Sequence, residues 1–228
     1  MATVRTLPLR PSIKVWSLDP SLQTAFMPPI KNQGNCGSCW AFATNALIES
    51  GIKKKNGTSY NFAEQELVDC CKKPYTVCSV GGGCSGGNTE QALTYVSKWG
   101  IAFTSVYPSL AVQGTCKNST TALNKVVSAT APVTDITRGS ISALQASLQS
   151  KPTAVYVDAS SWPGYSSGIF NYCTYTSLNH AVVAVGFDAS GNWKVRNSWG
   201  TGWGNPATFA FRALEIRAES STTRSLQQ

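Results

Sequence analysis

The chain has 228 residues, 42% of them hydrophobic and only 13% charged, which is enough for one large domain or two small ones around a buried core. No run of about 18 apolar residues occurs, which excludes a membrane-spanning helix. Nineteen Lys and Arg against 11 Asp and Glu leave a net charge of +8, but the charges are dispersed. The only triplet, Lys53, Lys54 and Lys55, falls where a helix ends, and a dipole contact explains it better than nucleic-acid binding.

Residues 1–30, with Pro8, Pro11, Pro20, Pro28 and Pro29, show no sustained period and are expected to run extended over a surface. Met1 is followed by no charged and apolar leader, so any signal segment is expected to be removed or to lie outside this sequence. Residues 1–15 read as a propeptide remnant or an artificial extension. From Cys39 to Ile52 the apolar residues crowd together without Pro, predicting a mostly buried helix closed by Gly51 and the three lysines. A second helix is expected over 63–70, with Glu64 and Glu66 favouring its N-terminal end, and a third from Asn88 to Trp99, stopped by Gly100. The glycine-rich stretch 81–87 must be a loop pinned by Cys84.

Beyond about residue 125 the pattern changes to short β-rich runs, Thr153-Ala154-Val155-Tyr156-Val157 and Ala181-Val182-Val183-Ala184-Val185 among them. This predicts an α+β protein of two lobes in one unit, a helical lobe over 25–125 and a sheet lobe over 126–215, with a disordered tail at 216–228.

Eight cysteines, several of them clustered between Cys70 and Cys84, suggest disulfides and an oxidising compartment. If one is a free nucleophile, seven remain, and seven cannot all pair. Asn56-Gly57-Thr58 and Asn118-Ser119-Thr120 fit the N-glycosylation pattern, in keeping with secretion from a eukaryotic source.

A thiol attacks a carbonyl only as thiolate. Cys39 at the first turn of the buried helix meets the positive end of the macrodipole, and a nearby imidazolium would lower its pKa further. His180 is the only histidine in the chain. It opens a strand that turns at Asp188-Ala189-Ser190-Gly191 and returns through Asn192 to Asn197. Pairing Phe187 with Asn192 puts Asn197 opposite Val182, hence diagonal to His180 on the same face and within reach of it, with Trp199 beside them. Two other readings weigh less. Cys36-Gly37-Ser38-Cys39 is also a Cys-x-x-Cys, but a redox pair should follow a βαβ pattern that is missing, and the cysteines at 70, 71, 78 and 84 match zinc spacing only loosely.

At these residues the sequence resembles the papain family of cysteine peptidases. The segment from Lys31 to Phe42 is similar to the surroundings of the family's nucleophile almost residue for residue. Glu64-Gln65-Glu66-Leu67-Val68-Asp69-Cys70, Gly83-Cys84-Ser85-Gly86-Gly87, Asn179-His180-Ala181 and Arg196-Asn197-Ser198-Trp199-Gly200-Thr201-Gly202-Trp203-Gly204 follow in the family's order. The resemblance implies a helical lobe and a β-barrel-like sheet lobe with the active site in the cleft between them. It implies a cysteine endopeptidase in which Cys39 attacks, His180 is acid and base, and Asn197 orients His180. Gln33 and the Cys39 N–H would form the oxyanion hole. No metal or organic cofactor is implied.

It also implies disulfides Cys36 to Cys84 and Cys70 to Cys116. Cys71 and Cys78 are then close enough in sequence to bridge locally, leaving Cys173 unpaired. Gly86 and Gly87 match positions where family members bind the substrate backbone as an added strand. Asn88 and Thr89 stand where papain carries an aromatic residue and a proline, and Tyr156 where the family often has a small aliphatic residue. With Leu178, Asn179, Ala181 and Trp199 they complete the expected substrate contacts; a one-residue slip of the strand would turn Tyr156 outward, and if it points inward the pocket should be short and polar, favouring Val, Ala or Thr over Phe.

The expected partners are polypeptide substrates, the protein's own propeptide and protein inhibitors of cysteine peptidases. The expected state is a monomer without nucleic acid, in a secreted, lysosomal or vacuolar location, or periplasmic if bacterial. Two departures stand out: Asn205-Pro206-Ala207-Thr208 replaces the family's usual Glu-x-Gly-Tyr, leaving the closing segment unassigned, and the stretch before Lys31 is longer than usual. The alternative from another class is a catalytically silent relative serving as a binding or structural module; such relatives commonly replace the nucleophile, and here Cys39, His180, Asn197 and Gln33 are all retained.

Overall fold

In a computed structural model, residues 26–73, 77–79, 81–117, 136–137, 139–172, 177–188, 190–204 and 208–211 are described. The first helix, α1, runs Cys39–Asn56, and every residue from Cys39 to Ser50 is buried. It passes through Gly51 and the lysines, which were expected to close it, and ends at Gly57. Gly57 takes the left-handed conformation at φ 76° and returns its N–H to Lys53 O, a C-cap that glycine adopts without a Cβ penalty. Lys53, Lys54 and Lys55 occupy the last turn, where the dipole favours cations.

Helix α2, Glu64–Cys70, is wholly buried despite its polar residues, because each finds partners. Glu66 accepts from Tyr95 Oη at 3.0 Å and Ala102 N at 2.7 Å, and Asp69 from Tyr107 Oη at 2.8 Å and Gly114 N at 2.6 Å. Those bonds offset the cost of desolvating the carboxylates. Helix α3, Thr89–Trp99, is capped by Asn88, whose side chain accepts from Gln91 N, and stops at Gly100.

Five strands follow, in the order β1-β3-β4-β5-β2 across one sheet. These are β1 (Thr153–Val157), β2 (Ile169–Phe170), β3 (His180–Phe187), β4 (Trp193–Arg196) and β5 (Thr208–Phe211). All pairs are antiparallel except β2 with β5. Helix α4, Ile141–Leu148, has no counterpart among the expected elements. Ser140 caps it, and Leu144 and Leu148 turn into the core. Ile141, Leu144 and Leu148 are turn-spaced, but two turns are too short a signal to separate from the surrounding β-rich runs. Strands β2 and β5 were not anticipated either. β2 has only two residues, and β5 lies just past the segment where the family pattern breaks off.

β3 is buried on both faces, which explains its unbroken apolar run. One face, through Ala181 and Val183, joins the core built around α1, α2 and α3. The other, through Val182 and Ala184, joins Leu144, Leu148, Val155, Trp162 and Trp193. The helical lobe and the sheet lobe thus share β3 as a common wall. Cys36–Cys84, Cys70–Cys116 and Cys71–Cys78 form disulfides. The first two close separations of 48 and 46 residues, each worth on the order of 4 kcal/mol in the chain-entropy model. Among the described residues Cys39 is the free cysteine; Cys173 lies outside them, as do residues 1–25 and 212–228. No helix of the described residues is long and apolar enough to cross a membrane.

Candidate active site

Cys39 is the first residue of α1. Ser38 precedes it as N-cap without a side-chain cap bond, so the positive end of the helix is left facing the thiol rather than a capping oxygen. Helix burial and the Cys36–Cys84 bridge immediately before it fix where the sulfur points. Burial aside, the groups that favour the Cys39 thiolate are the backbone N–H of Ala181, the residue after His180, and those of Trp40 and of Cys39 itself.

His180 begins β3 and is 5% exposed. Its Nε2 lies 2.8 Å from Asn197 Oδ1, and that oxygen also accepts the Ser198 N–H at 2.8 Å. Two donors on one oxygen decide which end of the amide faces His180, and an oxygen without a proton requires Nε2 to carry one. Nδ1 is then the free basic nitrogen. The hairpin reaches this geometry by a route the alternation argument did not foresee. Phe187 pairs with Trp193, not Asn192, and Gly186 with Lys194. A β-bulge between Ala184 and Gly186 then shifts the register, so that Ala184 pairs with Val195 and Val183 with Arg196. One inserted residue cancels the slip at the turn and returns Asn197 to the face of His180.

Gln33 is tied to the Asn197 segment at both ends: its N–H donates to Ser198 O at 2.9 Å, and its Oε1 accepts from Ser198 Oγ at 2.7 Å. Its Nε2 donates one proton to Cys36 O at 2.9 Å, three residues before Cys39, and the nitrogen carries a second proton. Ser198 carried no role in the sequence reading, although its place next to Asn197 was the signal. Trp162 was also missed, having no motif around it. It meets the His180 ring edge-on at 5.6 Å, and Trp199 covers another side at 5.0 Å, an apolar surround that excludes water.

The expected substrate contacts are partly employed otherwise. Gly86 has φ +97° with open space where a Cβ would stand, whereas a Cβ on Gly87 would lie 2.4 Å from Trp40 Cε2. Gly86 therefore leaves room on the cleft side, and Gly87 is required by the tryptophan behind it. Asn88 uses its carboxamide oxygen to cap α3 at 2.9 Å. Tyr156 lies opposite Ala181 in the β1–β3 pair and packs against the α1 side of the sheet. Its hydroxyl accepts from Thr89 N at 2.9 Å and donates to Thr89 Oγ1 at 3.3 Å. Asn179 is held by Ala159 N on its Oδ1 and by Asp158 and Ser160 on its Nδ2. Leu178 is 37% exposed and Ala181 1%.

Desolvation is the largest influence on both Cys39 and His180. It pushes the Cys39 thiol up, against the N–H groups of Ala181, Trp40 and Cys39, and pushes His180 down to about 4, against the Asn197 bond. The expected lowering of the thiol by the helix end is thus outweighed by burial while the neighbouring imidazole is neutral. A thiolate at Cys39 in so buried a setting requires a compensating positive charge close by.

In a Cys39→Ser variant, which cannot supply that thiolate, His180 should titrate near 4 by NMR. Its folded pKa then lies below the ordinary 6.5, so the unfolded chain takes up the proton first. Stability should be complete above pH ~6.5 and fall by up to about 3 kcal/mol as the pH drops towards 4. Titration of His180 at or above 6.5 in this variant would contradict the burial account.

The chain matches the profile of the papain family cysteine proteases over residues 16–222. It is 41% identical to cathepsin L 2 of Paramecium tetraurelia over 177 residues, 78% of this chain and 53% of that protein. With ananain of Ananas comosus it shares 38% over 181 residues, 77% of this chain and 49% of that one. It thus spans about half the length of the curated relatives it matches. Among solved structures, the bromelain protease of Ananas comosus in complex with the E64 inhibitor superposes with a TM-score of 0.74 at 32% identity, covering 90% of this chain and 97% of that one. Digestive procathepsin L 3 of Tenebrio molitor larval midgut gives 0.76 at 29% identity, over 90% and 68%. The chain belongs to the papain family of cysteine proteases.

Proposed function

We propose that this protein is a cysteine endopeptidase. The observation that carries the reading is the double acceptor at Asn197 Oδ1, which leaves His180 Nδ1 as the base, while the adjoining Ala181 shares one core cluster with Cys39. The thiol proton passes to His180 and the sulfur attacks the scissile carbonyl. The second Gln33 Nε2 proton and the Cys39 N–H receive the oxyanion, a contribution whose loss typically costs roughly 3–4 kcal/mol. His180 then protonates the leaving amine and draws a proton from the water that hydrolyses the thioester. A lone histidine in the whole chain leaves none to hold a substrate's terminal carboxylate, which supports internal cleavage.

The lobes over 25–125 and 126–215 form the two walls of this cleft. The substrates are polypeptides, and the procathepsin similarity supports inhibition by the protein's own propeptide, with protein inhibitors of cysteine peptidases occupying the same cleft. The enzyme acts as a monomer in a secreted or lysosomal compartment, in keeping with three disulfides. A thiol-reactive peptidyl epoxide should modify Cys39 far faster than it modifies a free thiol, and a long unstructured substrate should be cut internally from the earliest times. Labelling no faster than a free thiol would overturn the peptidase reading; sequential loss of dipeptides would overturn only its endopeptidase part.

Tyr156 floors the pocket between Thr89 and Ala181, and its hydroxyl, bonded to Thr89, holds the ring there. A short pocket of this kind favours Val, Ala or Thr over Phe at the residue before the scissile one, by about 1–3 kcal/mol. Across substrates differing only there, kcat/KM should show that order, and Tyr156→Ala should move it towards Phe. A preference for Phe unchanged by the substitution would remove Tyr156 from the site.

A further inference from the structure

A small cavity of about 20 Å³, walled by apolar and polar side chains alike, lies between α1 and the adjoining ends of β3 and β4. Ala43, Ala46 and Glu49 line it from one face of α1, and Arg196, Asn197 and Ser198 from the other side. Two of these residues carry a polar atom without a hydrogen-bond partner in the protein, Glu49 Oε2 and Asn197 Nδ2. Both residues are almost fully buried, at 1% and 3% exposure. The other Glu49 oxygen is engaged, accepting from Lys31 Nζ at 2.7 Å and from Phe62 N at 2.7 Å. The other Asn197 group is the oxygen that holds His180.

An acceptor and a donor on opposite walls of one cavity, each costly to leave unsatisfied, are complementary to water, which donates to the first and accepts from the second. A water requires on the order of 10–15 Å³ of such space and two to four polar partners, and the cavity meets both conditions. We infer that ordered water in this cavity bridges Glu49 Oε2 to Asn197 Nδ2, making Glu49 a positioning residue for the Asn197–His180 pair. Through this bridge the amide is held at both ends: Nδ2 by the solvent relay and Oδ1 by Ser198 N and His180. An amide held only at its oxygen can swing about that oxygen, and the histidine swings with it.

The charges around Glu49 are Lys31, which it shares with Glu64 of α2 at 2.7 and 2.6 Å, and Arg196 of β4, which feels both carboxylates. They hold the carboxylate in place without using Oε2. Burial raises Glu49 to about 7. Protonated or not, it offers the water a polar partner, so the bridge rests on geometry rather than on one charge state.

The inference rests on the proposed peptidase chemistry, but its test separates the two. Diffraction from crystals of the mature protein at about 1.5 Å should show solvent within hydrogen-bond distance of Glu49 Oε2 and connected to Asn197 Nδ2. An empty cavity, or Nδ2 bonded to a protein group, overturns the inference. Alkylation of Cys39 by iodoacetamide across pH should be followed for the wild type, Ala46→Val and Glu49→Gln. Ala46→Val fills the cavity without touching an ion pair and should slow alkylation about tenfold and shift its pH profile, as loosening of a supporting shell does. Glu49→Gln keeps a polar partner for the water and should remain within about twofold of wild type. A fast wild type with an indifferent Ala46→Val defeats this inference alone. A wild type no faster than free cysteine defeats the peptidase reading, and the diffraction result still decides the water bridge.

Discussion

The site depends on one packing constraint, the burial of the first three turns of α1 against β3. Because every residue from Cys39 to Ser50 is buried, the helix cannot rotate or slide without opening the core of the helical lobe, and cores are too densely packed to permit it. Its N-terminus is therefore held against β3, with Cys39 and Ala181 in one core cluster. The disulfide from Cys36 to Cys84 and the Gln33 contacts to Ser198 secure the chain just before it. Cys39 and His180 thus open two elements, α1 and β3, that pack on one another, and their placement inherits the rigidity of that packing.

The same burial sets the electrostatics. A dry site raises the energy of an isolated thiolate and an isolated imidazolium alike, and the two can exist only together. Asn197 fixes which nitrogen of His180 carries the resting proton, and Trp162 and Trp199 pack against the ring. Polar groups deeper in the protein follow the same rule of mutual satisfaction. Lys31, Glu49 and Glu64 hold one another under the cleft.

Much of this was legible in the sequence, though unevenly. The α1 run, the α3 limits and β1 were readable because their apolar patterns and glycine stops are local. Cys39 and His180 were readable because a cysteine at a helix start and a single histidine leave few choices. Asn197 was placed correctly through a pairing that was wrong at the turn, since the bulge near Val185 leaves no mark in a two-residue alternation. Helix α4 was hidden by its brevity, and the end of α1 by Gly51, which a buried helix tolerates when neighbours supply the stability that glycine does not. Trp162 and the Glu49 cavity depend on contacts between segments far apart in the chain, for which no local spacing exists.

The central claim is that Cys39, delivered by α1, is the nucleophile that His180 activates. Mixing the enzyme with an activated ester such as a nitrophenyl ester, quenching in acid and mapping the adduct by mass spectrometry tests it most directly. The account predicts a burst of one equivalent, with the acyl group on the peptide containing Cys39 and no adduct in Cys39→Ser. Turnover without an acyl group on Cys39, or with the acyl group on another residue, would contradict it.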